Sequence, residues 1–120
     1  MKNIDDEFNR LNFEEWLLII LIAVTIFNII SNNLQKLYLK TNDRKYLKNA
    51  SLMFIITLSI TIIIYLYFVN RNYKVYKNSN KKNKNIYKIK LIGSILIVVG
   101  VILLLYFQIN DPEFIGIPIP

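Results

Sequence analysis

Few side chains in this sequence could take part in acid–base or metal chemistry, because its 120 residues include no Cys and no His. Four carboxylates flank the most apolar parts of the chain. Glu14 and Glu15 stand just before Trp16, and Asp111 and Glu113 follow the last apolar segment. Three apolar segments separate these two pairs, so they cannot meet as the two carboxylates of glycosidase or aspartic-protease chemistry. We therefore expect no enzymatic activity, no catalytic residue, no cofactor and no metal site.

Ionisable residues inside a membrane span are the usual mark of transporters and proton relays. The three uncharged apolar runs of this chain contain none. Glu14 and Glu15 differ from the membrane-embedded Glu of small multidrug transporters, which have four spans and carry the acid inside the first. We expect both carboxylates to lie at the start of the first helix, where the helix dipole favours anions.

Three uncharged runs are long enough to cross a bilayer. A helix needs roughly 20 residues to span about 30 Å of hydrocarbon, and runs of this length exceed ordinary strands. Open sheet edges are also not viable in lipid, so we expect helices. The runs cover residues 16–35, 49–70 and 91–110.

The predicted fold is all-α: an integral membrane protein with three transmembrane helices in a single domain. Asn42 and Asp43 interrupt the helical pattern after the first run, and either can cap a following helix. The first two helices should therefore form a long hairpin with a short turn. Prolines prevent a helix near the C-terminus, where we expect an extended tail along the membrane interface. The predicted ranges are about 13–40, 43–77 and 86–109 for the helices, 110–120 for the tail and 1–120 for the domain.

Polar and small residues within the runs are the candidates for contacts between helices. Asn28 is the strongest hydrogen-bonding side chain deep in helix 1, and Thr57 and Thr61 lie on one stripe of helix 2. Interhelical hydrogen bonds of about 0.6 kcal/mol each are the favoured use of these residues, and a polar solute path is the alternative. In helix 3, Gly93 and Gly100 are seven residues apart and share a face, where they would let a neighbouring helix approach closely.

The connection between the second and third runs is strongly basic and contains no acid. Tyr73, Tyr76 and Tyr87 lie among its cations, which allows a nucleic-acid interpretation with bases stacked on the rings. Tyr beside a span is typical of the aromatic belt, however, and each cation near anionic lipid contributes about 1 kcal/mol. We therefore expect the lipid bilayer and its anionic headgroups as partners, and no nucleic acid. The expected lipid contacts are Arg71, Lys74, Lys77, Lys81, Lys82, Lys84 and Lys88.

The distribution of Lys and Arg predicts the orientation. The N-terminal segment and the second connection share one side and hold ten cations, whereas the first connection and the tail hold five. The positive-inside rule then predicts a cytoplasmic N-terminus and a C-terminus outside. The chain also contains 23 Ile, 15 Asn and 12 Lys, as the codons of an AT-rich genome would favour, so we expect the plasma membrane of a low-GC bacterium.

The C-terminal half, from Tyr65 onward, contains YLYFVNRNYKVY, IKLIGSILIVVG, LLYFQIN and FIGIPIP. It resembles small uncharacterised membrane proteins of low-GC Gram-positive bacteria. This resemblance implies a bacterial membrane location and carries no activity.

Two classes of function fit these features. The first is a structural, accessory or regulatory partner of another membrane component, which works through helix packing with another membrane protein or with a second copy. The alternative is a holin-like pore former or a bacteriocin-immunity-type protein. Some holins are three-span chains of this size, but they usually end in a basic tail, whereas this chain ends in Asp111, Glu113 and apolar residues.

Overall fold

The computed structural model describes residues 3–118 and confirms an all-helical chain. Its elements in order are α1 (Ile4–Thr41), α2 (Arg44–Asn78) and α3 (Lys84–Asn110), and no strand occurs among the described residues. Each helix is long and apolar enough to cross a membrane. Residues 119 and 120 of the predicted tail lie outside the described residues.

The first helix begins earlier than its apolar run suggests. Asn3 caps α1, because its side chain accepts a hydrogen bond of 3.0 Å from the backbone N–H of Asp5, and the first turn is acidic. Both features stabilise a helix N-terminus. Since α1 starts at Ile4, Glu14 and Glu15 lie about three turns inside it. The expectation that they cap this helix is therefore wrong.

A two-residue turn joins α1 to α2 in the predicted hairpin. Asn42 adopts a left-handed conformation with φ 56°, and its N–H donates to the carbonyl of Tyr38 at 2.7 Å. Asp43 then caps α2 by accepting a hydrogen bond of 3.0 Å from the N–H of Lys45. Asn tolerates the left-handed region better than most residues, which suits it to this position.

The three helices form a flat layer with α2 in the middle. The chain measures 61 × 27 × 14 Å, and its smallest extent is close to the width of a single helix. Among the described residues, α2 packs against both α1 and α3, whereas α1 and α3 do not contact each other. The middle helix therefore contributes more buried residues than either neighbour: Leu47, Ala50, Ser51, Phe54, Thr57, Leu58, Ile64 and Asn72.

The segment after α3 folds back to α1 as a non-helical tail with a turn after Asp111. The side-chain amide of Gln35 forms two hydrogen bonds with this segment. Its nitrogen donates to the carbonyl of Phe114 at 3.3 Å, and its oxygen accepts from the N–H of Gly116 at 3.0 Å. The ring of Phe114 packs edge-on against Phe107 with centroids 5.2 Å apart. Arg44 and Glu113 add an exposed ion pair. The tail therefore joins the C-terminal end of α3 to α1.

The turn generates a stability prediction. Replacing Asn42 with Val puts a β-branched residue into the left-handed region and should lower the free energy of unfolding by about 1–2 kcal/mol. Asn42→Gly relieves the same steric constraint and should melt at or above the temperature of the parent. Thermal unfolding of the purified proteins in detergent measures both. Equal melting temperatures for the Val variant and the parent would contradict the left-handed turn.

Candidate functional site

One polar contact joins α1 and α2 near the middle of their apolar runs. The Thr57 hydroxyl lies 3.0 Å from the side-chain oxygen of Asn28 and 3.0 Å from the carbonyl of Phe54. Thr57 is buried, and Thr61 donates to its backbone carbonyl at 2.8 Å. The structure thus brings Asn28 and Thr57 together, while the hydroxyl of Thr61 is satisfied within its own helix.

A second buried polar contact joins α2 and α3 at the end nearer the tail. Gln108 is 1% exposed, and its amide nitrogen donates to the Ser51 hydroxyl at 3.0 Å. Its amide oxygen is buried without a hydrogen-bond partner among the described residues. The sequence shows Gln108 as one polar residue in an apolar run, but its partner depends on how α3 is rotated against α2, which the pattern does not define.

The glycines of α3 face away from the rest of the chain. A Cβ atom built on Gly93 or Gly100 meets no atom within 4 Å. The side of α3 that packs on α2 contains its two buried residues, Val98 and Gln108. A packing role for the glycines therefore requires a second protein chain.

An ion pair that the sequence analysis missed joins α1 and α2 at the other end of the hairpin. Glu14 is 8% exposed, and its carboxylate accepts hydrogen bonds from Arg71 at 2.8 Å, from the Tyr67 hydroxyl at 3.2 Å and from Arg10 at 3.3 Å. A buried carboxylate needs such partners, because an unpaired charge away from water is costly. This group of Arg10, Glu14, Tyr67 and Arg71 is called the Glu14 cluster below.

The axial spacing of the hairpin could have revealed this pair. Glu14 and Asn28 are fourteen residues apart on α1, and Thr57 and Arg71 are fourteen residues apart on α2. In an antiparallel hairpin, two residue pairs can be in contact at the same time when the same number of residues separates the contacting positions on both helices. Fourteen residues are also close to four helical turns, which places both contacts on the same side of each helix.

Arg71 uses three of the five N–H groups of its guanidinium in contacts within the chain. Besides Glu14, it donates to the side-chain oxygen of Asn72 from Nε at 3.3 Å and from Nη2 at 3.0 Å. The guanidinium carbon also lies 4.9 Å from the centre of the Phe68 ring. The sequence analysis named Arg71 as a lipid contact, and the structure places it between the two helices of the hairpin.

The other predicted lipid contacts lie around the short turn between α2 and α3. Lys84 sits over the ring of Tyr76, with its Nζ atom 5.3 Å from the ring centre. The remaining cations of this set are exposed: Lys74, Lys77, Lys81, Lys82 and Lys88. Their ammonium groups can therefore reach lipid headgroups or another anionic surface.

Two cavities open beside α2, one at each end of the layer. The larger of these two, of about 530 Å³, lies next to the tail and is lined by apolar residues such as Leu47 and Leu52 and by charged ones such as Arg44 and Lys48. The other, of about 390 Å³, borders the Glu14 cluster and is lined by charged and polar groups, including Arg10, Lys74 and Tyr87. This second space is called the basic cavity below.

The side-chain contacts described above are hydrogen bonds, ion pairs and ring contacts. Within residues 3–118, no three carboxylates lie close enough together to hold a metal ion. No protein-family model matches the chain, and no curated protein or solved structure with which it was compared matches it either.

The Glu14 cluster generates a prediction about the hairpin. Glu14→Leu leaves Arg71 without an opposite charge and should lower the free energy of unfolding by about 3 kcal/mol. Arg71→Met should cost less, because Glu14 keeps its contacts with Arg10 and Tyr67. The loss of unfolding free energy in the double variant should be smaller than the sum of the two single losses by more than about 1 kcal/mol, because the two residues interact directly. Denaturation in detergent measures the unfolding free energies of the parent and the three variants.

The matched control for this cycle is Glu15→Leu. Glu15 is the next residue on α1 and carries the same charge, but it is exposed. Its substitution should change the free energy of unfolding by less than about 0.5 kcal/mol. Additive losses for Glu14 and Arg71, or a control loss as large as that of Glu14, would contradict the pairing.

Proposed function

We propose that the protein is a non-enzymatic, multi-pass membrane protein that acts as a structural or regulatory accessory of another membrane component. In this proposal α3 binds the partner. The observation that carries it is the face of α3 with Gly93 and Gly100, where an added Cβ atom would meet no atom of the described chain within 4 Å. A protein of this kind works through helix contacts and needs no reactive site.

The exposed face of α3 has the spacing of a helix-packing surface. Its residues recur in alternating steps of three and four, as in helices that cross at a small angle. Leu96 and Leu103 are 64% and 62% exposed, and the glycines lie between and before them. Glycine lets a second helix come close while leucine fills the space beside it. This surface, the α3 seam, consists of Ile86, Ile89, Gly93, Leu96, Gly100 and Leu103.

Charge supports a different protein, rather than a second copy, as the occupant of the seam. Two copies inserted in the same orientation would pair their α3 helices in parallel. Lys88 and Lys90, which are exposed near the start of α3, would then lie at the same level as their counterparts in the other copy. Like charges at the same level repel, whereas a partner with a neutral or acidic segment there avoids the repulsion.

We further propose that the protein lies in the plasma membrane of a bacterium, with its N-terminus in the cytoplasm. The excess of cations in the N-terminal segment and the second connection supports this orientation. The exposed lysines around the turn between α2 and α3 would then contact anionic headgroups of the cytoplasmic leaflet.

The seam can be tested by photo-crosslinking in intact cells. A benzophenone amino acid replacing Leu96 should give one discrete adduct with another protein, whereas the same group at Ile102, which is exposed but outside the seam, should not. Gly100→Leu fills the seam and should reduce the Leu96 adduct roughly tenfold. The purified Gly100→Leu variant should melt no lower than the parent, because the site is open and Leu favours a helix.

Three outcomes would contradict the proposal. The first is equal adducts from both positions, and the second is an adduct with twice the mass of the chain, which indicates self-association. The third is an abrupt collapse of the membrane potential after induced expression, followed with a potential-sensitive dye. That collapse would support the holin-like alternative.

The orientation is tested by cysteine labelling, since the chain contains no Cys. Thr41→Cys and Asn80→Cys place single thiols in the two connections without changing the number of cations, and both positions are exposed. A membrane-impermeant maleimide should label Thr41→Cys on intact cells and Asn80→Cys only after lysis. The reverse pattern would invert the orientation, and equal labelling would contradict a membrane span between the two positions.

A further inference from the structure

The basic cavity is the place where side chains of all three helices meet. Arg10 comes from α1, Arg71 and Lys74 come from α2, and Tyr87 comes from α3. Elsewhere in the described chain, α1 and α3 do not contact each other. A ligand in this space of about 390 Å³ would touch helices that have no other contact.

The charges around the basic cavity favour an anion. Two guanidinium groups and one ammonium group line it, against the single carboxylate of Glu7. Arg10 and Arg71 are already bonded to Glu7, Glu14 and Asn72, which holds their guanidinium groups in position. Lys74 has no ion-pair or hydrogen-bond partner among the described residues, so its ammonium group is available to a ligand.

The polar groups are of the kinds that bind phosphate. Guanidinium and ammonium groups form charge-assisted hydrogen bonds to phosphate oxygens. The hydroxyl of Tyr87, which has no partner among residues 3–118, adds a neutral donor on the α3 side. Donors from three helices therefore surround a space whose lining includes a single carboxylate, that of Glu7.

The cavity lies at the level of lipid headgroups. Arg71 follows the uncharged run of α2 directly, Lys74 is about one turn further on, and Tyr87 is about one turn before the uncharged run of α3. At roughly 1.5 Å per residue, these residues lie within about 6 Å of the hydrocarbon boundary. The headgroup region of a leaflet has a similar thickness.

We propose that the basic cavity is a binding site for the phosphate group of an anionic ligand, held by Arg10, Arg71, Lys74 and Tyr87. Two sources could supply this group: the headgroup of an anionic phospholipid and free phosphate. The site differs from a diffuse attraction between exposed lysines and the membrane surface, because its donors converge on one space. It is also independent of the α3 seam, which lies on the exposed face of that helix.

The test is thermal unfolding of the full-length protein in neutral detergent during titration with phosphatidylglycerol. The lipid should raise the melting temperature in a saturable way, since it binds the folded state. Phosphatidylcholine, which carries a compensating positive charge, should have a much smaller effect. If both lipids stabilise the protein equally, or if neither does, the cavity does not bind an anionic lipid headgroup. Stabilisation by free phosphate would then be the one result that keeps a phosphate site in this cavity.

Lys74→Gln and Lys77→Gln separate a defined site from general electrostatic attraction. Both residues are exposed, lie one turn apart on α2 and lose the same charge, but only Lys74 lines the cavity. Lys74→Gln should raise the half-saturating concentration roughly fivefold, and Lys77→Gln less than about twofold. Tyr87→Phe, which removes one hydroxyl, should raise it roughly threefold. Equal effects of the two lysine variants would overturn the proposal.

Inorganic phosphate, compared with potassium chloride at matched ionic strength, distinguishes the two sources. If phosphate raises the melting temperature of the parent but not of Lys74→Gln, free phosphate supplies the group. If phosphate has no effect while phosphatidylglycerol stabilises the parent, the source is the lipid headgroup. If neither stabilises the parent beyond the chloride control, the cavity does not bind phosphate and the proposal is wrong.

Discussion

Lipid supplies almost no hydrophobic driving force between apolar helices, because its tails are as apolar as the side chains that the helices would bury. A chain of three such helices therefore depends on a few polar contacts and on close packing for a defined arrangement. In this protein those contacts lie at three levels. The Glu14 cluster holds one end of the hairpin, Asn28 and Thr57 meet near its middle, and Gln108 bonds Ser51 at the other end.

The central position of α2 follows from the same contacts. Each of the three levels uses a side chain of α2, with α1 as the partner at two of them and α3 at the third. The tail adds a connection from the end of α3 to Gln35 of α1. At the start of α3, the ammonium group of Lys84 lies over the ring of Tyr76. The basic cavity opens at this end of the layer.

Length and composition were enough to predict the helices, because an uncharged run that is long enough to cross the membrane must do so as a helix. The turn was also predictable, since Asn and Asp have defined roles at helix ends. The start of α1 was not, because the cap at Asn3 lies thirteen positions before the first residue of the apolar run, in a polar and charged segment. As a result, Glu14 was assigned to a helix end, and its pairing with Arg71 was missed.

The contacts of α3 could not be predicted from the sequence, for a different reason. Helical periodicity shows which residues share a face, but it does not show which face meets which neighbour. Gly93 and Gly100 share one side of α3, and Gln108 lies on the side that packs against α2. In water, the more apolar side would turn inward and resolve the choice. In lipid, both sides are nearly equal in transfer energy, so the rotation depends on individual polar partners that no pattern identifies.

The chemistry of the contacts changes with depth in a way that defines the register of the hairpin. A charged side chain at the bilayer centre costs at least about 2.5 kcal/mol, whereas a neutral interhelical hydrogen bond contributes about 0.6 kcal/mol. The ion pair accordingly lies at the end of the apolar run, and an amide and a hydroxyl meet near its middle. Because the two contacts are fourteen residues apart on both helices, they share one register. Sliding α1 by one turn, about 5.4 Å, would break both contacts together and move Glu14 toward lipid or away from its cations. The ion pair of Glu14 and Arg71 at the interface therefore defines the register of the hairpin. The weaker contact of Asn28 and Thr57 then defines which face of each helix meets the other.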